Sequence, residues 1–267
     1  MLHSKLLNTL ILAALAVPSA VMAADAETTE HKEGIHVVPA SEHTVTANVG
    51  FTTDYIFRGI AQTSHNPAVQ GGIDYAHSSG FYAGVWGSNV SWIADSGAVA
   101  TGSVTMELDT YLGFKNTFAE DFNYDVGFVR YNYLGKYTPA AGFAKADTDE
   151  IYGALGYKWL TAKYSYGLGQ FLTVPGAKGT NYLELNANYP IADSGFAVAA
   201  HVGKQTFKPA TASIYTYTDY KLAVTKDISG YVVGLAYTST NAGPAWTYAN
   251  GGKWGKGTAA LSLTHSF

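Results

Sequence analysis

The chain has 267 residues, no cysteine, and 20 acidic against 16 basic residues, for a formal net charge of −4. An exported chain without disulfides must be held by its fold, and a net negative charge argues against a nucleic-acid partner, which needs a basic stripe. Tyr (20), Phe (12), Trp (5) and Gly (29) are abundant and charged residues make up only 13%, yet beyond the N-terminus no run approaches the roughly 18 consecutive apolar residues of a membrane helix.

The first element is an export signal over residues 1–23. Lys5 gives a positive start, residues 6–17 are mostly apolar but too short to span a bilayer as a helix, and Val21-Met22-Ala23 offers a small-residue cleavage site. The mature chain is expected to begin near Ala24, with cleavage after Ala24 or Ala26 as alternatives. Residues 24–42 read as a flexible periplasmic segment. His31, His36 and His43, with Glu27, Glu30, Glu33 and Glu42, crowd the mature N-terminus, but their spacing fits no closed metal site, so a solvated tail is expected and no metal.

From residue 43 to 267 the pattern changes to period-2 alternation, the signature of strands with two unlike faces. The clearest case is 103–114, where Val104, Met106, Leu108, Leu112 and Phe114 share one face and Glu107, Asp109 and Tyr111 the other. Similar runs begin with Val45-Ala47-Val49-Phe51 and Val69-Gly71-Ile73-Tyr75, and recur through Phe122-Tyr124-Val126-Phe128, Leu183-Leu185 and Tyr231-Val233-Leu235-Tyr237. Residues 81–92 are strand-like with aromatics on both faces. About twelve strands of about ten residues each result, the number and length of an antiparallel transmembrane β-barrel.

The connections alternate in length. Short links fall at 77–80, 115–121, 160–161, 190–195 and 227–230; long ones fall at 58–66, 93–102, 134–147, 169–179, 205–214 and 240–257. Short periplasmic turns and long extracellular loops sort this way. The final strand carries Ala259, Leu261, Leu263 and Phe267 on one face, with His265 replacing the usual large apolar residue; Leu261, Leu263 and Phe267 read as the C-terminal assembly signal.

If the apolar face meets lipid, the other faces a lumen. The candidate pore-lining residues are Asp74, Glu107, Asp109, Asp125, Glu150, Glu184 and Asp219, with Lys158, Lys163, Lys221 and His201. Their acidic excess predicts a weak preference for cations; the alternative is that these groups pair across the lumen and plug it. Asp54 and Arg58 share a face if the chain stays extended and are candidates for a rim or constriction ion pair, with Tyr55 and Phe57 pointing outward between them. Trp86, Trp92, Tyr131, Tyr133, Trp159, Tyr166 and Tyr189 read as interfacial girdle anchors. Loops 134–147 and 240–257 are the expected gates or plugs. Neither His77-Ser78-Ser79 nor His265-Ser266 assembles a nucleophilic site, and no phosphate loop or zinc-protease motif occurs.

The run Thr53-Asp54-Tyr55-Ile56-Phe57-Arg58-Gly59-Ile60-Ala61-Gln62-Thr63 resembles the opening signature of the TorF family, grouped with the porins and also called the Gcw_chp family. Pro67-Ala68-Val69-Gln70-Gly71-Gly72-Ile73-Asp74-Tyr75 and Ser79-Gly80-Phe81-Tyr82-Ala83-Gly84-Val85-Trp86 resemble it too, with later echoes at Glu107-Leu108-Asp109, Tyr124 to Tyr131 and Glu150-Ile151-Tyr152. The resemblance implies a proteobacterial outer-membrane barrel with pore function as the expectation. It assigns no catalytic or ligand residues. The reading is therefore a passive or weakly cation-preferring porin, not an enzyme, with no cofactor. Its partners are outer-membrane lipid and lipopolysaccharide, the barrel-assembly machinery and small solutes. The alternative is a closed structural or adhesive barrel whose extracellular loops bind a partner.

Overall fold

A computed structural model describes residues 41–267; the export signal and the histidines at positions 31 and 36 lie outside the described residues. Twelve strands form one closed antiparallel barrel: β1 (His43–Thr52), β2 (Ala68–His77), β3 (Phe81–Asn89), β4 (Met106–Phe118), β5 (Phe122–Leu134), β6 (Thr148–Tyr157), β7 (Leu160–Gly167), β8 (Asn181–Ile191), β9 (Phe196–Thr206), β10 (Tyr217–Ile228), β11 (Tyr231–Thr240) and β12 (Thr258–Ser266). Each strand pairs with the next, and the ring closes where β1 meets β12, with Asn48 opposite Ser266 and Thr52 opposite Ser262. Closure removes every sheet edge, the condition for backbone polar groups to survive in hydrocarbon. No helix among the described residues is long and apolar enough to cross a membrane.

The alternation sorts as expected. Val45 (68% exposed), Val69, Ile73, Leu155, Leu183, Leu222 (66%) and Leu235 stand on the outside, while Glu107 (1%), Glu150 (1%) and Asp219 (2%) are buried within. This inverts a soluble protein, as lipid tails are the exterior solvent. The ambiguous third strand also resolves: Tyr82, Gly84, Trp86 and Ser88 face inward, and Phe81 and Val85 outward. β4 and β5 run longer than the alternation suggested, since Lys115, Asn116 and Thr117, polar enough to read as a link, pair with Asp125, Tyr124 and Asn123. On the outside of the last strand, Leu261, Leu263 and Phe267 are exposed. His265 keeps its place among them by stacking on Tyr231 at 4.4 Å and donating from Nδ1 to the Gly230 carbonyl at 2.8 Å.

The inner wall is built from tyrosines laid over glycines. Tyr82 stands opposite Gly113 and Tyr111 opposite Gly84 on the β3–β4 pair, and Tyr152 opposite Gly127 on β5–β6. A Cβ at any of the three glycines would fall 2.4–2.6 Å from the facing ring or its hydroxyl. Without that Cβ, each ring lies flat on the neighbouring strand and carries its hydroxyl into the lumen.

Candidate functional site

The first long connection does not project from the barrel mouth. Past Thr52 the chain turns inward, and Ile56–Phe57 pairs with Ile60–Ala61 around a two-residue turn, Arg58 (φ 46°) and Gly59 (φ 77°). Two successive left-handed residues are the mark of a type I′ hairpin, whose twist matches its strands. Gly59 is needed for space as well: a Cβ there would lie 2.4 Å from Thr240 Cγ2 and 2.6 Å from Asp219 Cβ. The hairpin tip thus rests against the inner face of β10 and β11.

From that tip Arg58 reaches Glu150 on β6 with both ends of its guanidinium, Nη1 to Oε1 at 3.0 Å and Nη2 to Oε2 at 2.8 Å, and donates to Gln205 Oε1 on β9 at 2.8 Å. Tyr131 donates to the same carboxylate at 3.2 Å, and Tyr217 donates to the Arg58 carbonyl at 2.9 Å. The guanidinium lies 4.3 Å from the centre of the Tyr182 ring and 4.8 Å from that of Phe57. Burial works most strongly against its charge, but the Glu150 carboxylate together with Tyr131 and Tyr182 outweighs burial and holds the pKa above the usual guanidinium value. A bidentate, aromatic-caged arginine is a rigid tie. The base of the loop is clasped by Asp54, whose Oδ2 meets His65 Nδ1 at 2.6 Å. Burial pushes the Asp54 carboxyl up, and the contacts with His65 and Thr63 pull it down by less.

Beside the hairpin, β4 presents Glu107 and Asp109. Tyr55, from the first loop, donates weakly to Glu107 at 3.4 Å. Glu107 Oε2 and Asp109 Oδ1 are buried with no hydrogen-bond partner. Farther round, Tyr182 donates to both oxygens of Asp219 (2.9 and 2.8 Å) and meets His201 Nε2 at 2.9 Å, while His201 Nδ1 meets Asn186 at 2.7 Å and lies 3.6 Å from Glu184. Tyr82 links Asp125 and Tyr152, and Tyr111 donates to Asp74. Lys163 sits 4.0 Å from the centre of the Tyr152 ring.

The two ends of the interior differ. At the loop end Trp92, Phe171, Phe207 and Tyr217 are buried and, with Trp246, leave a crevice with room for about one water molecule. Towards the short turns Asp74, Lys115, Asp125, Lys163, Asn186 and Lys221 are only half-buried.

A family model described as "Bacterial protein of unknown function (Gcw_chp)" matches residues 36–267. The chain belongs to the Gcw_chp family. No curated protein matches the sequence. Among solved structures, a KdgM porin in complex with disordered oligogalacturonate is similar at 7% identity and a TM-score of 0.50, over 84% of this chain and 99% of that one. OccAB3 of Acinetobacter baumannii matches at 13% identity and a TM-score of 0.41, over 86% of this chain and 66% of that one. The first likeness shows that the Gcw_chp chain has a porin-type barrel fold.

Most of the predicted lining of this Gcw_chp barrel is on its inner face, including Asp74, Glu107, Asp109, Asp125, Glu150, Lys163, Glu184, His201, Asp219 and Lys221. Lys158 is not. Its strand ends at Tyr157, and Lys158 occupies the turn with φ 52°, exposed and 3.5 Å from Asp121. Asp54 and Arg58 do not share the face of an extended strand, because β1 ends at Thr52 and the chain folds back; each finds another partner. Tyr55 is buried rather than outward. Trp86, Trp92, Tyr131 and Tyr133 also lie inside, and Trp159 and Tyr189 remain as exposed outer anchors packed edge to face at 6.3 Å. Residues from both expected plugs join the packed loop end, among them Tyr137, Ala146 and Tyr248. Loop 240–257 contributes Trp246 and Tyr248 to the crevice, while within 134–147 Tyr137–Pro139 pairs with Val99–Gly102 in a separate two-stranded ribbon. Lys115 and Gln205 were not anticipated as interior groups, although strand parity carried forward from Asp109 and His201 places both there.

Proposed function

We propose that this protein is an outer-membrane channel for small hydrophilic solutes, weakly preferring cations and constricted by its own first loop. The observation that carries this reading is the sorting of the wall: apolar side chains outside, and inside seven carboxylates (Asp74, Glu107, Asp109, Asp125, Glu150, Glu184, Asp219) against Arg58, Lys115, Lys163 and Lys221. Glu107 and Asp109 each keep a buried oxygen without a hydrogen-bond partner, and a carboxylate charged in such a place costs several kcal/mol. Permeating cations would offset that cost. The finer assignment, to the TorF porins within the family, rests on the first-loop motif that folds into the lumen.

The second reading is a closed barrel with loops that bind a partner. It is favoured by the packed loop end and the Arg58–Glu150 tie. Reconstitution in planar bilayers separates the two. Channel steps with a reversal potential of cation sign in a KCl gradient support the first. A folded barrel that never conducts, even when the first loop is released by substitution of Arg58, supports the second.

A further inference from the structure

At the opposite end of the barrel from the plug, the start of β1 and the end of β2 bring together three side chains that are scattered in the sequence. His43 and His77 are direct cross-strand partners, with ring centres 5.1 Å apart. Glu42 precedes His43, and its carbonyl accepts a hydrogen bond from the Ser78 backbone N–H at 2.9 Å, which ties the two strand ends together. Glu42 and His43 are exposed and His77 is half-buried, and one ligand atom from each lies within 4.8 Å of the others. Each ring also has an oxygen partner at Nδ1: the Tyr75 hydroxyl at 2.7 Å from His43 and Ser79 Oγ at 2.8 Å from His77.

We propose that Glu42, His43 and His77 form a binding site for a late first-row divalent metal ion, with Zn2+ as the reference ion. Two imidazoles and one carboxylate are a three-ligand zinc set that leaves a fourth, water-filled position. Tetrahedral zinc brings its ligand atoms to roughly 3.4 Å from one another, so exposed side chains already within 4.8 Å need only small rotations. Binding fixes the tautomer of both rings. Each Nδ1 carries the proton and donates it to its oxygen partner, and each Nε2 becomes the metal ligand, an arrangement that orients the rings and strengthens their basicity. His77 Nδ1 now accepts from the Ser79 backbone N–H at 3.1 Å, a contact that metal binding through Nε2 gives up in favour of the Ser79 hydroxyl. The cross-strand register supplies the rigidity, since His43 and His77 cannot separate without unpairing β1 from β2. The same register explains why spacing alone gave no site: 34 positions separate the two histidines in the sequence. The site is independent of whether the barrel conducts.

The test is Zn2+ titration of the full mature chain in detergent by calorimetry, with Cu2+ electron paramagnetic resonance to count coordinating nitrogens. The expected result is one equivalent of Zn2+ bound, with a Cu2+ spectrum showing two imidazole nitrogens. His43→Ala and His77→Ala should each weaken binding by about tenfold or more and reduce the nitrogen count to one. Glu42→Gln should weaken binding and keep both nitrogens. Affinity should fall on acidification, because the metal and protons compete for the same ligand atoms. A paired His31→Ala, His36→Ala chain should bind as the native one does. Binding lost in that control but kept in His43→Ala and His77→Ala would overturn the proposal, as would no binding at millimolar Zn2+. The replaced side chains lie at the rim, and heat-dependent gel mobility checks that each variant is folded.

Discussion

Arg58 and Glu150, 92 positions apart in the chain, meet inside the barrel as a bidentate ion pair, at 3.0 and 2.8 Å, that joins the tip of the first loop to the wall of β6. Their side chains are 7% and 1% exposed, so neither charge has water to fall back on. In such a pair the loss of one member costs far more than the pair is worth, because the other is left buried and alone. Arg58→Ala should therefore lower stability by about 3–5 kcal/mol, measured by urea unfolding in detergent or lipid. The Arg58→Ala, Glu150→Ala double variant should recover much of that loss. If the single and double variants are equally stable, the pair does not hold the loop.

Release of the hairpin should also be visible electrically. Arg58 is anchored by Glu150, Gln205 and the Tyr182 face together, so Arg58→Ala frees the tip from three strands in one step. Larger or noisier conductance steps than the native protein gives are expected in planar bilayers. Unchanged conductance, with the variant folded, would show that the hairpin is not the narrowest point.

Gly203 is the most crowded glycine of the inner wall. A Cβ there would lie 1.9 Å from the Tyr182 hydroxyl and 2.3 Å from its ring carbon. The ring is rigid and its hydroxyl is committed to Asp219 and His201, so Gly203→Ala must displace the ring or the strand. Overpacking of this kind costs about 1–3 kcal/mol, and a lower thermal transition by circular dichroism would record it. Gly153→Ala is the control, because the nearest atom to its added Cβ is at 4.0 Å.

The fold was readable because lipid imposes a strict two-sided code on each strand, and one apolar face suffices to fix register and closure. What misled was size. Tyr131 and Tyr133 have the same parity as Asp125 and Gly127, yet large aromatics towards strand ends read as girdle. Here the glycines on neighbouring strands make room, so tyrosines fill the interior and carry hydroxyls to its carboxylates. The inward fold of the first loop left a local signal in Arg58-Gly59, a pair able to take two left-handed residues. The partner of Arg58 left none, because Glu150 is chosen by tertiary closure. Lys158 failed at an element boundary, where parity stops one residue before it.

The clasp at the base of the first loop gives a pH signature. Burial raises the Asp54 carboxyl above its usual range, against the weaker pull of His65 and Thr63. An acid whose folded value is raised costs nothing below its unfolded value, and costs stability once pH has passed the folded value. Asp54→Asn lacks that cost. Its stability relative to the native chain should rise as pH increases from about 4 and then level off. A relative stability that falls over this range would mean that the contact with His65 outweighs desolvation.

Glu107 and Asp109 decide whether the interior selects for charge. Both are nearly fully buried and each has an oxygen without a partner, unlike Glu150, which is neutralised by Arg58. Replacing both by their amides removes two neighbouring acids that no ion pair neutralises. Glu107→Gln, Asp109→Asn should therefore leave stability unchanged or higher, whereas Glu150→Gln, which strands the Arg58 charge, should lower it. In a KCl gradient the double variant should move the reversal potential toward zero, since a narrow, low-dielectric passage amplifies each fixed charge. Lys115, Lys163 and Lys221 remain in place and set how far it moves. If the potential stays where the native protein has it, cations do not pass beside β4, and the preference, if present, arises from Asp74, Asp125 and Glu184 nearer the short turns.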